Sequence, residues 1–270
     1  MQQKDLILGG EGLIGRELAR VLRARGGEVT SLDLKSGADL RVEDRREAFA
    51  ACDRVWFLAW DTGGAKYHSS ANVQHEMYRN NCQLSARVFE SLAATKRPFL
   101  FVTSQLAGQP TAYGLTKLMA ERWAAQLGGK VARLWNIYGW EHPDEKSHVV
   151  TDVALSALTE GRVRTMTTGE ERRRFLYKSD CVEALIRFFE GERMTVDIAG
   201  SEWITIRQLA EEVGRQLSVP VEPGTRAGVE VMIDPEDLLP GWAPAVTLEE
   251  GLAGVIEEAR EYLRRKADGG

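Results

Sequence analysis

The segment Gly9-Gly10-Glu11-Gly12-Leu13-Ile14-Gly15 constrains this chain more than any other, because its glycines at 9, 12 and 15 sit between two readable elements. Before it, the apolar run Asp5-Leu6-Ile7-Leu8 reads as a buried strand. After it, Leu13, Ile14, Leu18, Val21 and Leu22 recur at helical spacing, and Gly26-Gly27 stops the helix near Arg25. Glu28 to Asp33 then reads as a second strand. Two parallel strands joined by a helix need a right-handed crossover. In such a turn Gly9 permits the tight bend, Gly12 lets the backbone approach a pyrophosphate, and Gly15 lets the helix pack against the sheet. The first helical residues, Leu13 and Ile14, offer free N–H groups and the positive dipole end to the phosphates. Asp33 closes the second strand, where a carboxylate accepts from the adenosine ribose and repels a 2′-phosphate. The expected cofactor is therefore NAD rather than NADP, with Lys35 close enough to soften the preference.

The alternation continues. Asp53–Leu58, Phe99–Ser104 and Val131–Trp135 read as strands, with helices over roughly 75–94 and from Tyr113. This predicts an α/β fold, a Rossmann-type doubly wound parallel sheet over about 1–140. The polar segment His142–Lys146 reads as a loop. Beyond it, helices near 151–160, 179–190, 205–217 and 247–265 mix with short strands at 163–166, 174–177, 194–198 and 229–233. Residues 141–270 are thus expected to form mainly a small C-terminal α/β substrate lobe, with some of its elements completing the sheet.

Composition narrows the function classes. The 270 residues carry a net charge of -5, which gives no general attraction for nucleic acid. Three cysteines without a CxxC, and His68, His75, His142 and His148 without ligand spacing to them, give neither a disulfide framework nor a metal site. Neither a signal-peptide block nor a membrane-length apolar run is readable, so the cytoplasm is the expected compartment and no membrane partner is expected.

Tyr113-Gly114-Leu115-Thr116-Lys117 places a phenol and an ammonium four apart, on one helix face. A phenol titrating near 10 is a poor base, and a nearby ammonium together with a positive nicotinamide would lower it. Tyr262 and Lys266 repeat the spacing in a charged C-terminal helix and read as solvated surface. Tyr113 differs because it follows a strand ending in Thr103-Ser104.

With these residues in order, the chain resembles the extended short-chain dehydrogenase/reductases, the NAD-dependent epimerase/dehydratase family. The resemblance implies Tyr113, Lys117 and Ser104 as the catalytic set, with Tyr113 and Lys117 also touching the cofactor. It places Asp39-Leu40 beside adenine, Leu58-Ala59-Trp60 along the cofactor, and Asn81 in support of the cofactor site. Arg133 to Gly139 resembles the family's Arg-x-x-Asn-Val-Tyr-Gly segment, which implies Trp135 at the nicotinamide and Asn136 at the substrate diphosphate. Gln105, next to Ser104, falls on the substrate side. Arg173 to Asp180 is similar to a stretch whose arginine grips the diphosphate, a task suited to the guanidinium fork. Leu239 to Pro244, then Leu248 to Leu252, resembles the family's C-terminal signature. A homodimer through the helices near 75–94 and 113–127 is implied in the same way.

Three departures stand out. Only eight residues separate Ser104 from Tyr113, where relatives carry a longer loop. Gln105-Leu106 replaces the acid pair of dehydratases and the cysteine of 3,5-epimerases. Arg174 and Lys178-Ser179 replace the usual Asp and Val-Asp, making the substrate end more cationic. Trp60 and Trp135 fit either the nicotinamide or core packing. The resulting expectation is a nucleotide-sugar epimerase that works through a transient keto-sugar. The alternatives are a dehydrogenase or reductase that releases its product, a reductase of small carbonyl compounds, and a dinucleotide-binding protein without chemistry.

Overall fold

The computed structural model describes residues 2–64, 67, 71–144 and 146–268. Six parallel strands form the central sheet: β1 (Lys4–Leu8), β2 (Glu28–Leu32), β3 (Arg54–Phe57), β4 (Phe99–Ser104), β5 (Lys130–Leu134) and β10 (Thr195–Ile198). Their order is β10-β5-β4-β3-β1-β2, so the direction of winding reverses beside β1. Ligands of open α/β sheets bind at the carboxyl ends of the strands at such a switch point. The glycine loop follows β1 there.

Strand periodicity divides the core. Ile7 faces one side with Leu18, Leu22, Val182 and Leu185. Leu6 and Leu8 face the other with Phe57, Val88, Phe101 and Ala124. Because both faces are covered, β1 reads as a continuous apolar run rather than an alternating one. The first side is covered by α1 (Leu13–Ala24) and α6 (Lys178–Glu190). The second is covered by α3 (Ala71–Thr95) and α4 (Ala112–Gln126). A short helix, α2 (Arg46–Ala51), was not anticipated from the sequence. It spans six residues and buries only Phe49.

After β6 (Ile137–Tyr138), a separate apolar cluster joins α5 (Val149–Glu160), α7 (Ile206–Leu217) and α8 (Leu248–Asp268) through Val153, Ala157, Leu209, Val213, Leu252 and Ile256. Small two-stranded sheets link this lobe to the core. β6 pairs with β9 (Leu176–Tyr177), β8 (Arg172–Arg173) with β11 (Ile204–Thr205), and β7 (Val163–Arg164) with β12 (Val221–Glu222). The chain then returns through α6 and β10 to extend the main sheet at β5.

Two sequence expectations are corrected. Residues 229–233 form no strand. Side chains rather than a ladder hold that segment: Arg173 donates to Val229 O at 2.6 Å, Trp135 Nε1 donates to Ile233 O at 2.8 Å, and Arg172 pairs with Glu230 at 3.0 Å. Tyr262 is not simply solvated. Its ring packs on Trp140 and His142, each at 5.5 Å between centroids, which docks α8 on the loop after β6.

Candidate active site

The glycine loop has the shape a dinucleotide needs. Gly9 adopts φ +90°, and a Cβ there would lie 2.6 Å from Ala59 N, so only glycine lets the loop pass β3's end. A methyl at Gly15 would overlap Gly9 O, which explains the close approach of α1. At Gly12 a Cβ would meet only Gly9 O, at 3.3 Å, leaving the outer side of the loop open. The first i to i−4 bond of α1 runs from Arg16 N to Gly12 O. The amides of Leu13, Ile14 and Gly15 have no acceptor among the described residues, and no side chain caps them. This arrangement fits a pyrophosphate.

Asp33 ends β2 half-buried, with Oδ2 accepting from Glu11 N at 2.9 Å and Oδ1 from Lys35 N at 2.8 Å. Each oxygen keeps acceptor capacity for a ribose hydroxyl. Asp39 is fully engaged by Arg41, whose guanidinium binds both oxygens at 2.8 Å and holds the carboxyl below its usual range. Leu40 is buried in the core beneath it. Leu58 and Ala59 both donate from their backbone to Leu8 O, fixing the end of β3 beside the loop.

The chemical groups gather at the end of β4. Ser104 is its last, buried residue. The eight-residue connection folds tightly back, with Gly108 N donating to Gly114 O at 2.9 Å, and Thr111 capping α4 through Gly114 N at 3.0 Å. This brings Tyr113, one residue into the helix, against the strand end. The Ser104 and Thr62 hydroxyls both act on its phenol. Burial raises the phenol above its ordinary value, and those two hydroxyls partly offset the rise.

Lys117 behaves differently from the sequence expectation. Its ammonium is buried, donates to Val102 O at 2.6 Å, and lies 4.2 Å from the Trp60 ring centroid. Its distance to the Tyr113 ring centroid is 6.0 Å. Burial pushes Lys117 well below the ordinary lysine value, and Lys117 is not among the groups that lower the Tyr113 phenol.

Trp60 therefore serves as a lid on Lys117 while packing on Phe101 at 5.6 Å, and its Nε1 is buried without a partner among the described residues. Trp135 is a strut, buried and tied to Ile233 O. Asn81 is fully buried and acts at one remove, gripping both the N–H and the carbonyl of Asp61 at 2.8 and 3.1 Å. Gln105 donates to Asn136 Oδ1 at 3.0 Å, and its own Oε1 is buried without a partner among the described residues. Sequence reasoning missed Thr62, Asp61 and Lys146. They lie in loops without periodicity, and no pattern marks them.

At the other end of the cleft, the three arginines divide. Arg172 pairs with Glu230 and Arg174 with Asp234, at 3.0 and 2.9 Å. Arg173 has no carboxylate partner among the described residues. It donates to two carbonyls, Arg172 O and Val229 O, and burial lowers its pKa. Among the described residues no group of His, Cys, Asp or Glu could hold a metal ion, and no helix is long and apolar enough to cross a membrane. His68 lies outside the described residues.

The model of the NAD dependent epimerase/dehydratase family matches residues 6–197. A dTDP-6-deoxy-L-talose 4-dehydrogenase (NAD(P)(+)) of Kitasatospora kifunensis is 27% identical, with the match covering 91% of this chain and 92% of the relative. A UDP-glucuronic acid decarboxylase 6 of Arabidopsis thaliana is 30% identical over 144 residues, half of this chain. That match spans 41% of the decarboxylase, less than half its length. The solved UDP-glucose 4-epimerase of Thermotoga maritima superposes with a TM-score of 0.82 at 22% identity, covering 97% of this chain and 100% of that one. With most of its length matched, the chain belongs to the NAD-dependent epimerase/dehydratase family of the extended short-chain dehydrogenase/reductases, whose cofactor is NAD.

Proposed function

We propose that this protein is an NAD-dependent nucleotide-sugar epimerase. The observation that carries the reading is Tyr113 at the start of α4, its phenol acted on by Ser104 at the carboxyl end of β4 and its ring centroid 6.0 Å from the buried Lys117 ammonium. Tyr113 takes the proton from a sugar hydroxyl as that carbon is oxidised. Ser104 hydrogen-bonds the same sugar oxygen and steadies it as the carbonyl forms. Bound NAD supplies the hydride acceptor and a positive charge that favours the phenolate. Gly9, Gly12, Leu13, Ile14 and Gly15 cradle its pyrophosphate, Asp33 takes its adenosine ribose, and Lys117 holds its nicotinamide ribose. Arg173, which makes no ion pair among the described residues, takes the substrate diphosphate, with Asn136 and Gln105 lining the sugar side.

Return of the hydride to the other face of the keto-sugar completes an epimerisation. Gln105 and Leu106 support this outcome, because neither side chain can act as the acid of a dehydration or of a 3,5-epimerisation. Release of the keto-sugar is the second reading. The K. kifunensis relative favours it, since the match covers 91% of this chain and that protein is named a 4-dehydrogenase. Tyr113→Phe tests the shared step. The variant should bind NAD as the wild type does and lose turnover, and retained turnover would remove Tyr113 from the mechanism.

The assembly we propose is a homodimer through α3 and α4. Leu115, Met119 and Trp123 follow one another at four-residue spacing on α4 and are 47, 58 and 56% exposed. Three large apolar side chains in one stripe are what a second copy would cover.

A further inference from the structure

The Lys117 ammonium sits where few polar groups can serve it. It is buried, and the backbone carbonyl of Val102 in β4 accepts from it at 2.6 Å. Among the described residues no carboxylate pairs with it and no charged group acts on it. A buried cation in such a place loses its proton readily unless something else favours the charged form. What surrounds it is aromatic. Its Nζ lies 4.2 Å from the Trp60 ring centroid and 4.9 Å from that of Phe101, with the Tyr113 ring centroid at 6.0 Å. The negative face of an indole attracts an ammonium at such a distance, and the attraction grows where water is excluded.

Trp60 is held for that contact. It lies in the loop after β3, and both of its neighbours are tied down. Ala59 N donates to Leu8 O at 2.7 Å, and Asp61 N donates to Asn81 Oδ1 at 2.8 Å. The indole packs on Phe57 at 6.1 Å and on Phe101 at 5.6 Å between centroids, and both phenylalanines are fully buried, in β3 and β4. A buried indole N–H ordinarily finds an acceptor, whereas Trp60 Nε1 has none among the described residues. The ring is thus placed by its face rather than by its N–H.

We infer that Trp60 is a positioning residue, whose ring face, with that of Phe101, seats the Lys117 ammonium beside β4 for its work on the cofactor. This role rests on the reading above, in which Lys117 holds the nicotinamide ribose. Core packing alone would need only the shape of the ring, and the seat needs its electron-rich face.

The test is the titration of the Lys117 amine without NAD, followed by NMR of protein labelled with carbon-13 at lysine Cε. The resonance is identified by its loss in K117M. Protein made with 5-fluorotryptophan or 5,7-difluorotryptophan nearly keeps the shape of the ring and drains its face. All seven tryptophans are then replaced, but among the described residues only Trp60 lies over Lys117. The midpoint should fall with each added fluorine, and in W60L it should fall by about one pH unit. W60F keeps an aromatic face and should titrate between W60L and the wild type. A midpoint that ignores fluorination overturns the seat, whether or not W60L folds. NAD affinity, measured by calorimetry across pH, should drop at a lower pH in W60L, in step with the amine. An affinity profile that stays put while the amine midpoint moves overturns the positioning role. The amine is titrated without substrate, so a K117M protein that still turned over a nucleotide sugar would strike the proposed function and leave the titration standing.

Discussion

Asp33 and Glu11 are joined across the cofactor end of the sheet: the carboxylate closing β2 accepts the backbone N–H of the glycine loop at 2.9 Å. One side chain thus sets the loop's position and presents the acceptor that a ribose needs. Asp33→Asn keeps the size but replaces one of the two accepting oxygens by a donor. NAD affinity should fall about 10- to 100-fold, with discrimination against NADP reduced. Fluorescence titrations with NAD and NADP measure both. An unchanged NAD affinity would show that Asp33 serves only the loop.

Arg173 differs from its two neighbours in making no ion pair among the described residues. Arg173→Ala should weaken nucleoside-diphosphate binding about 10- to 100-fold, as expected when a hydrogen-bonded charge partner is lost. NAD affinity should stay the same. Arg172→Ala should cost less, because Glu230 already neutralises that side chain. Calorimetry with UDP and GDP ranks the two variants, and the reverse order would contradict the assignment.

A pH dependence of stability follows from His148. Burial lowers its imidazole. The hydrogen bond to Glu141 at 2.8 Å, with the charges of Glu141, Asp152 and Asp144, more than offsets this and leaves the folded value above 6.5. The pair therefore contributes fully below 6.5, and the contribution is lost as pH rises through the folded value. Its size is small, because the side chain is half exposed. The Tm difference between wild type and Glu141→Gln should be largest between about pH 5 and 6.5 and should close at alkaline pH. A difference that widens with pH would contradict the pairing.

Much of this was legible in the sequence, and the exceptions have physical causes. The glycine loop, Asp33 and Tyr113…Lys117 were readable because backbone geometry and helical spacing leave marks in a sequence. The parallel strands were readable because they are buried on both faces. Residues 229–233 looked like a strand, yet they are held by Arg173, Trp135 and Arg172 from elsewhere in the chain. Lys117 was expected to lower the Tyr113 phenol, but helix spacing does not say where an ammonium points. Here Val102 O takes it. Asp61 and Lys146 meet only because two loops lock together, a contact across 85 positions that no local pattern encodes.

The apolar stripe of α4 gives an assembly prediction. Trp123→Glu should convert a dimer to monomer, because it places a charge on the apolar stripe that the proposed dimer would cover. Light scattering after size exclusion measures the mass of wild type and variant. A monomeric wild type would remove the proposed interface.

The central claim is reversible oxidation of one sugar carbon, with Tyr113 taking the hydroxyl proton and the hydride returning to that carbon. The most direct measurement is an NMR time course on UDP-, GDP-, CDP- and dTDP-sugars with excess NAD, with NADH absorbance followed in parallel. The account predicts a new sugar epimer from one of these substrates without accumulating NADH. NADH rising in step with a keto or acid product would contradict the epimerase and assign the same site to a dehydrogenase.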